Sequence, residues 1–495
     1  MRRVLTGVLI GSLAWALAEA AWGRVGGGET FGGGGASPSG GGGDDGGAFL
    51  IYLLIRLVLE YPAIGIPLAI AVGIGYLVLK AGSAHQLQGN LSSQQARDWS
   101  ASVTPARRSA HQLESLRKED PNFSTPLFLD FVNLLFTRVH SERTGDLASL
   151  AGYLDPGLRR SLVEQTQTAR VTEVQNVLVG SMRITDLELG ASQTVTVDLE
   201  ANFTELAASS PAPIYSVERW TFVRRAGVLS KGPVEITRLA CPSCGNPAEF
   251  RADGSCPFCD QVASTGAWAW VLKTIEVRNR VPRPRMDLRQ GGQEVGTEEP
   301  TRMQPGFDLR RKEFMVRHTG FSWPDFENRV RHVFTRLQES WSQGRWELAR
   351  PFETDHLFSN HRFWLEAYAR DGLANRIQDV RIEHVVPVKI ETDAWFDSLT
   401  VRIWASARDW TEEVATGKVV AGSREKERRF SEYWTFLRRS GFSATPAKDP
   451  ASCPSCGAPL EITMTGICPY CDSKITSGEF DWVLTRIEQD EAYEA

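Results

Sequence analysis

The sequence predicts an α+β protein built from two copies of one module. In each copy an apolar segment with helical periodicity comes first, and alternating segments rich in β-branched and aromatic residues follow, as is typical of half-buried antiparallel strands. Helices followed by a run of strands favour a curved sheet that wraps onto the helices. The eight cysteines of the 495-residue chain agree with this division, because they form two compact groups, one in each copy.

Three short motifs carry the duplication. One of them is Glu-x-Trp-Thr-Phe-x-Arg. Because side chains alternate along a strand, its Glu, Trp, Phe and Arg would share one face. Gly145 and Gly344 each follow the first motif, at the expected end of a helix, where glycine caps are common. The motifs are Phe-Thr-Arg at 136–138 and 334–336, Glu-x-Trp-Thr-Phe-x-Arg at 218–224 and 432–438, and Trp-Val-Leu at 270–272 and 482–484.

Composition limits the class of protein. With 42% apolar and 23% charged residues, the chain is neither intrinsically disordered nor a polytopic membrane protein. Its length implies roughly two to four domains or segments. The formal net charge of −5 gives no general reason to expect nucleic-acid binding.

The N-terminal segments predict export and a membrane anchor. Residues 1–3 carry two arginines and 4–18 are apolar, which is typical of a signal peptide; a first transmembrane helix is the alternative. Fourteen glycines in 23–47 predict a flexible tether. The uncharged stretch 61–79 is long enough to span a bilayer, and a two-helix hairpin over 49–79 is the alternative.

This order of segments predicts the orientation of the chain. A cleaved signal would deliver the tether outside, and the span would then stop transfer and leave the residues from Lys80 onward in the cytoplasm. Clustered CxxC thiols also suit a reducing compartment. We therefore expect a single-pass inner-membrane protein whose C-terminal domains are cytoplasmic.

Each cysteine group has the spacing C-x2-C-x11-C-x2-C, which predicts a zinc ribbon. Two CxxC turns close a tetrahedral shell around Zn²⁺ and leave no open position for water, so we expect two structural zinc ions, each stapling a loop between two strands. The alternatives are a catalytic zinc, a redox role for the CxxC pairs, and nucleic-acid recognition, against which the few basic residues of the ribbons argue. The expected ligands are Cys241, Cys244, Cys256 and Cys259 in the first copy, and Cys453, Cys456, Cys468 and Cys471 in the second.

The sequence contains no recognisable catalytic constellation. It has no Gly-x-Ser-x-Gly elbow, Walker loop or His-Glu-x-x-His motif, so we assign no catalytic or cofactor-binding residue besides the zinc ligands. We expect a non-enzymatic scaffold that binds a protein partner or a lipid, in an oligomeric state that the sequence leaves open. The alternative is an enzyme or small-ligand receptor, for which a carboxylate and a tyrosine should face inward in the same module.

A signal, a glycine-rich stretch, one span and a module with Glu-x-Trp-x-Phe-x-Arg resemble bacterial membrane proteins that carry Tim44-like domains. The family is named for a subunit of the mitochondrial inner-membrane translocase, and the resemblance covers about 122–280 and, more loosely, 320–490. It implies cone-shaped modules similar to nuclear transport factor 2, each with a hydrophobic concavity, and a link to protein transport. The mitochondrial member is an adaptor that tethers a chaperone motor to the import channel and contacts anionic lipid.

The predicted segments follow one another along the chain without overlap. They are a signal peptide (1–22), a Gly-rich tether (23–47), a transmembrane segment (48–80), a polar stalk (81–121), a first Tim44-like module (122–280) with a zinc ribbon at 238–262, a linker (281–319), and a second Tim44-like module (320–490) with a zinc ribbon at 450–474.

Overall fold

The computed structural model describes most of the chain after the predicted stalk begins. The described residues are 106–495 apart from 208–210, 237–238, 248, 252, 284–287, 289–295, 442–451, 461, 464–465, 491–492 and 494. The predicted signal peptide, tether and transmembrane segment lie outside the described residues. Among the helices within them, none combines the length and the apolar character needed to cross a membrane.

Two sets of helices each precede a four-stranded antiparallel sheet. The sheets have the orders β1-β2-β3-β4 and β5-β6-β7-β8, and we call residues 106–282 module 1 and residues 307–489 module 2. The helices are α1 (Ala106–Glu119), α2 (Thr125–Glu142), α3 (Pro156–Thr168), the short α4 (Pro233–Ile236), α5 (Phe307–Arg317), α6 (Trp323–Gln343) and α7 (Asp355–Arg370), with 3₁₀ turns at Ala148–Leu150, Ala263–Thr265, Trp346–Phe352 and Ile475–Ser477. The strands are β1 (Val171–Glu188), β2 (Ser192–Ala207), β3 (Pro211–Arg225), β4 (Val271–Pro282), β5 (Leu373–Thr392), β6 (Phe396–Glu413), β7 (Val419–Arg439) and β8 (Val483–Gln489).

Helices α2 and α6 begin in the same way. The hydroxyl of Ser124 accepts a hydrogen bond from the backbone N–H of Leu127, and Ser322 does the same for Asp325. Each N-cap serine is followed two residues later by proline, whose missing N–H costs nothing in a first turn. A Phe-Ser-x-Pro sequence therefore fixes the start of the central helix in both modules.

The two helices differ at their ends. Gly344 caps α6 with a φ of 68°, as predicted, because glycine adopts the left-handed conformation without a Cβ clash. The matching prediction for Gly145 is wrong: α2 ends at Arg143 in a right-handed conformation, and the left-handed residue of this turn is Leu147, at φ 55°. The chain of module 1 reverses over a longer turn, so glycine is not needed directly after the helix.

The first strand of each sheet carries a bulge at the same place. Asn176 in β1 and Asp379 in β5 have φ values of 53° and 54°, and the register shifts around both residues. Asn and Asp tolerate left-handed backbone better than other residues with a side chain. The bulges bend β1 and β5 so that each sheet curves around its helices.

The buried face of each sheet packs against the central helix. Trp220 and Phe222 lie in one apolar cluster with Val132, Leu135 and Phe136 of α2. As predicted, the Glu, Trp, Phe and Arg of the repeated motif share this inner face. All eight of these side chains are buried: Glu218, Trp220, Phe222 and Arg224, and Glu432, Trp434, Phe436 and Arg438.

Parts of the predicted stalk and linker belong to the folded modules. Leu116 of α1 is fully buried in the core of module 1, although it falls within the predicted stalk, 81–121. Residues 296–305, within the predicted linker, lie across the outer face of the second sheet. There the guanidinium of Arg402 donates hydrogen bonds to the backbone carbonyls of Gly296 and Glu299.

Candidate metal centres

The structure brings the eight cysteines together in two groups of four. In each group all four sulfur atoms lie within 4.8 Å of one another. The sulfur atoms of Cys244 and Cys256 are 3.8 Å apart, and those of Cys241 and Cys259 are 3.9 Å apart. The second group has Cys453–Cys471 and Cys456–Cys468, both at 3.9 Å.

These separations distinguish a metal site from disulfides. A disulfide places its sulfur atoms about 2.05 Å apart. A tetrahedral Zn²⁺ with Zn–S bonds of about 2.3 Å places them about 3.8 Å apart. The described cysteines are all free, and their spacing matches the edge of the metal tetrahedron. Both groups could therefore hold a metal ion, and their chemistry is compatible with zinc.

Each CxxC turn depends on a left-handed residue directly after its second cysteine. In the first pair of turns this residue is glycine, Gly245 or Gly457, both with φ 76°. In the second pair it is aspartate, Asp260 at 57° or Asp472 at 56°. The amide of Gly245 donates a 2.8 Å hydrogen bond back to the carbonyl of Cys241, which closes the turn and leaves both thiols on one side.

The four thiols of a cluster lie close enough to shift one another's pKa values, and nearby amides and hydroxyls add to these shifts. The backbone and side-chain amides of Asn246 lower the pKa of Cys244 to about 6. Burial raises the pKa of Cys241 to about 12. In the second cluster the hydroxyl and amide of Ser473 lower the pKa of Cys471 to about 6. A bound cation is thus required before all four sulfurs of a cluster ionise near neutral pH.

Ribbon 1, the predicted segment 238–262, packs directly on the turn that follows α2 in module 1. The ring of Phe250 lies against Gly152, where a Cβ atom would come within 2.3 Å of the ring. The hydroxyl of Tyr153 donates a hydrogen bond to the carbonyl of Ala240, next to the first ligand. Phe250, Ala151 and the buried cysteines form a small apolar cluster of their own. The loop is therefore seated on the 3₁₀ turn of its module.

Ribbon 2, the predicted segment 450–474, contacts the helices of its module through ion pairs instead. The ammonium of Lys474 lies 2.6 and 2.8 Å from the two carboxylate oxygens of Asp355, the first residue of α7. The same carboxylate also pairs with Arg350, whose side chain is only 1% exposed. Arg350 occupies the place that Ala151 has in module 1, so an ion-pair cluster replaces an apolar contact.

A buried arginine lies where each ribbon joins its sheet. In module 1, Arg224 is 2.8 Å from Asp120, both side chains being 1% exposed, and its guanidinium lies 4.2 Å from the ring centre of Trp270. In module 2, Arg438 lies 4.5 Å from the ring centre of Trp482. The carboxylate there is Asp397, 3.8 Å from Arg438.

The acid that faces this arginine comes from a different element in each module. Asp120 precedes α2, and the equivalent position before α6 is His318, 3.2 Å from Asp397. Asp397 lies on β6 opposite Arg438, and the equivalent residue on β2, opposite Arg224, is Gln193. Each module therefore has one buried carboxylate for its arginine, supplied from non-equivalent positions. Neither Asp120 nor Asp397 was predicted from the sequence as a functional residue, because their partners are distant in the chain.

The inward carboxylates of the repeated motif are held by neighbouring side chains. The indole N–H of Trp220 donates a 2.8 Å hydrogen bond to Glu218, and that of Trp434 donates a 2.9 Å bond to Glu432. His140 of α2 lies 3.3 Å from Glu218. Burial alone would raise the pKa of Glu218, but His140, Trp220 and the hydroxyl of Ser216 outweigh it and lower the pKa to about 2. Glu218 is thus an ionised structural acceptor.

An inward tyrosine is present in module 1 together with this carboxylate, as the enzyme alternative requires. Tyr153 is 6% exposed in the same core as Trp220. Its hydroxyl is already bound to the carbonyl of Ala240, and burial raises its pKa. Both groups are therefore engaged by hydrogen bonds to neighbouring groups, and Tyr153 also lines the apolar cleft described below.

Replacing Glu218 by glutamine should flatten the acid dependence of stability. Because the pKa of Glu218 falls from 4.5 to about 2 on folding, its ionisation stabilises the fold fully above the unfolded value and ceases to do so as the pH falls through the folded value. The loss on substitution should approach about 3 kcal/mol at neutral pH and shrink toward about pH 3. Urea unfolding of both proteins across this range measures the difference.

The comparison also separates this effect from metal release. Acid protonates the cysteines of both proteins equally, so that contribution cancels in the difference between them. Parallel curves for the wild type and E218Q would contradict the assignment of an ionised Glu218.

An apolar cleft opens beside ribbon 1. It has about 60 Å³ of free space, and its walls include Phe128 and Phe131 of α2, the exposed edges of Leu229 and Trp268, and Pro242 of the first CxxC turn. Lys231 and Glu235 lie at its rim. A cleft of this size holds a small apolar group rather than a whole cofactor.

The two modules contact each other next to this cleft. The indole N–H of Trp395, in the β5–β6 turn, donates a 3.0 Å hydrogen bond to the carbonyl of Asn122 in module 1. Leu127 of α2 packs against Phe396 and Leu437 of module 2. Elsewhere, the side-chain amide of Asn360 on α7 donates a 3.3 Å bond to the carbonyl of Gly180 on β1.

Truncation of Trp395 to alanine should weaken the coupling between the modules. The change removes the hydrogen bond to Asn122 and the ring contact at Gly232, so we expect a loss of about 1–3 kcal/mol and a broader or split calorimetric transition. W395F keeps most of the packing and should lose only about 1 kcal/mol. A single sharp transition at the wild-type temperature for W395A would show that the contact does not couple the modules.

The fold and the clusters together define the class of protein. It consists of α+β modules, each made of helices and an antiparallel sheet, with an inserted four-cysteine loop that could bind a metal. The profile of the Tim44-like domain family matches residues 311–448. This match runs from α5 to just beyond β7 and stops before the cysteines of the second cluster. The chain matches no curated protein.

Proposed function

We propose that the chain is a membrane-anchored, non-enzymatic adaptor that binds a protein partner or a lipid through two α+β modules, in connection with protein transport. The Tim44-like match at 311–448 supports a transport-related scaffold, because these domains are associated with membranes and protein interactions. The apolar stretch within 48–80 supplies the anchor, and the domains after it are placed in the cytoplasm at the inner membrane.

The proposal rests on the observation that the polar groups inside the modules are hydrogen-bonded to neighbouring residues. Glu218 and Glu432 are buried beneath their own tryptophans, and Tyr153 is bound to a backbone carbonyl. A general base must be able to reach a substrate proton, and the two buried glutamates cannot do so without disrupting the core. The family of the matched domain is not an enzymatic one.

We further propose that 122–280 is a second Tim44-like module and that both modules share the cone shape of nuclear transport factor 2. The two sheets have the same strand order, the central helices begin with the same Phe-Ser-x-Pro cap, and the bulges at Asn176 and Asp379 coincide. A duplicated module presents two similar surfaces, which suits a scaffold.

Each cysteine cluster is proposed to hold one structural Zn²⁺. Four thiolates complete the coordination of zinc, and the ion supplies the cross-link that closes the loop between the third and fourth strand of each module. The chain's own residues then seat the loop: Phe250 and Tyr153 in module 1, and Lys474 and Asp355 in module 2.

Crosslinking in native membranes tests the adaptor proposal. The full-length chain carrying an affinity tag is crosslinked, purified and analysed by mass spectrometry for proteins and lipids. A stoichiometric protein partner, or an enriched lipid class, supports the adaptor. The matched control is the chain with W395A, whose membrane anchor is unchanged and whose partner should be retained if one module is sufficient for binding. Absence of any stoichiometric protein or lipid would refute the proposal.

The cleft beside ribbon 1 supports the second candidate, a receptor for a small apolar ligand. Its walls are mostly aromatic and aliphatic, and Trp268 at its edge is a natural fluorescent reporter. A small molecule that copurifies in stoichiometric amount and is lost with Leu229→Arg would favour the receptor over the adaptor. Leu309→Arg changes a leucine on α5 that is also more than half exposed, and it is the control.

A further inference from the structure

The second CxxC turn of each ribbon exposes a large aromatic side chain. Phe258 is 64% exposed and Tyr470 is 57% exposed, and both stand between the proline and the last cysteine of the turn. The first turns have serine at this position, Ser243 and Ser455. Because the two kinds of turn have the same hydrogen-bonded geometry, the aromatic residue is not required for holding the metal.

The same turns expose an aspartate where the first turns have glycine. Asp260, with a side chain that is 78% exposed, and Asp472 adopt φ values of 57° and 56°. Gly245 and Gly457 adopt the same left-handed conformation, and no atom lies within 4 Å of the point that a Cβ would occupy at either glycine. Glycine is the residue that this conformation favours, so the aspartates are retained in both modules at some conformational expense.

An exposed aromatic ring, an exposed carboxylate and a metal centre with four thiolates make a surface suited to a cation. Four thiolates around one Zn²⁺ carry a net charge of about −2, which adds to the charge of the aspartate. A ring face attracts guanidinium and ammonium groups, and arginine more than lysine. In ribbon 1 the chain's own Arg251 pairs with Asp260 at 2.7 Å in an exposed position, so an arginine of a partner would share this carboxylate or displace Arg251.

We propose that the second turns, Cys-Pro-Phe-Cys-Asp at 256–260 and Cys-Pro-Tyr-Cys-Asp at 468–472, are two matching docking surfaces for an arginine-containing apolar segment of a partner polypeptide. The assignment rests on the proposed adaptor function and names the part of the protein that binds. The arginine pairs with the aspartate and stacks on the ring, and the apolar neighbours cover the remaining ring surface.

The first turns provide the variants that test this surface. Phe258→Ser with Asp260→Gly gives the second turn of ribbon 1 the residues of the first, and Tyr470→Ser with Asp472→Gly does so in ribbon 2. Because these residues already fit the turn twice in the same molecule, we expect both clusters to keep their metal. Val316→Ser removes an even more exposed apolar side chain on α5 and is the control.

The probes are two synthetic peptides that share their leucines and glycines and differ only in having arginine or glutamate between them. Fluorescence anisotropy with the full-length, metal-loaded chain should show binding of the arginine peptide alone, weakened by salt. Changing one ribbon should halve the number of peptide-binding sites and leave the affinity of the remaining site unchanged, and changing both should lower the affinity more than about tenfold. Val316→Ser should leave it unchanged.

The proposal is overturned if the chain changed in both ribbons binds the arginine peptide as the wild type does, or if the glutamate peptide binds equally well. It is likewise overturned if vesicles of phosphatidylcholine and phosphatidylglycerol in equal parts bind in a manner that depends on Phe258 and Tyr470. Crosslinking the same variants in native membranes separates this proposal from the adaptor function. A partner that still copurifies with the variants would refute the docking surface and leave the adaptor proposal unaffected.

Discussion

Replacing Cys241 by serine should release one metal ion and lower the melting temperature of module 1 by about 10 °C or more. The metal binds only the folded arrangement of four thiolates, so its binding free energy stabilises the fold directly. A loss of about 4 kcal/mol or more corresponds to a shift of this size in a domain of this length. Metal content by atomic spectroscopy and melting by calorimetry, on the same sample, measure the two effects together.

The second cluster and a neighbouring serine provide the controls. Cys453→Ser should release the other ion and destabilise module 2, while Ser243→Ala, within the same turn as Cys241, should keep both ions and melt like the wild type. A chelator should reproduce both losses in the unmodified chain. Full metal content and unchanged melting in Cys241→Ser would show that the cluster is not a structural metal site.

Removing the carboxylate of Asp120 should destabilise module 1 by about 3–5 kcal/mol, because it leaves the guanidinium of Arg224 buried without its counter-charge. Asp120 also accepts hydrogen bonds from the amide and hydroxyl of Ser230, so its loss loosens the entry to ribbon 1 as well. Urea unfolding of Asp120→Ala measures the change, and metal retention shows whether the ribbon opens with it.

Two further variants separate a buried charge from an ordinary contact. Arg224→Met together with Asp120→Ala removes both charges, and the double variant should be more stable than Asp120→Ala alone. Arg362→Ala breaks an exposed pair with Glu366 at 2.7 Å on α7 and should have little effect, because water and salt screen such pairs. If Asp120→Ala and Arg362→Ala were equally mild, the buried pair would not hold the ribbon to its sheet.

Local sequence patterns were sufficient to predict those parts of the structure that are formed by residues close together in the chain. The C-x2-C-x11-C-x2-C spacing predicted which cysteines come together, and the alternation of 218–224 predicted a shared buried face. A CxxC turn and a strand are both set by residues that are neighbours in the chain. The same holds for the glycine cap at Gly344.

The contacts that sequence reasoning missed join residues far apart in the chain. Asp120 and Arg224 are separated by 104 residues, and no periodicity links them. The sequence shows that Val-Gln-Asn-Val at 174–177 matches Ile-Gln-Asp-Val at 377–380, but it does not predict a bulge there, because one left-handed residue hardly disturbs the apolar pattern. The folded part of the chain begins before the end of the predicted stalk. The sequence did not indicate this, because α1 is mostly polar and only a few of its residues, such as Leu116, reach the core.

The exchanged positions of the buried acids have a consequence for how the two halves of the gene can evolve. If recombination copied the segment before α6 into module 1, His318 would replace Asp120, and Arg224 would face Gln193 with no carboxylate. The reverse exchange would give Arg438 two acids, Asp397 and a second aspartate. An exchange of this short segment alone thus changes the number of acids beside each arginine, whereas an exchange of a whole module keeps the arginine and its acid together.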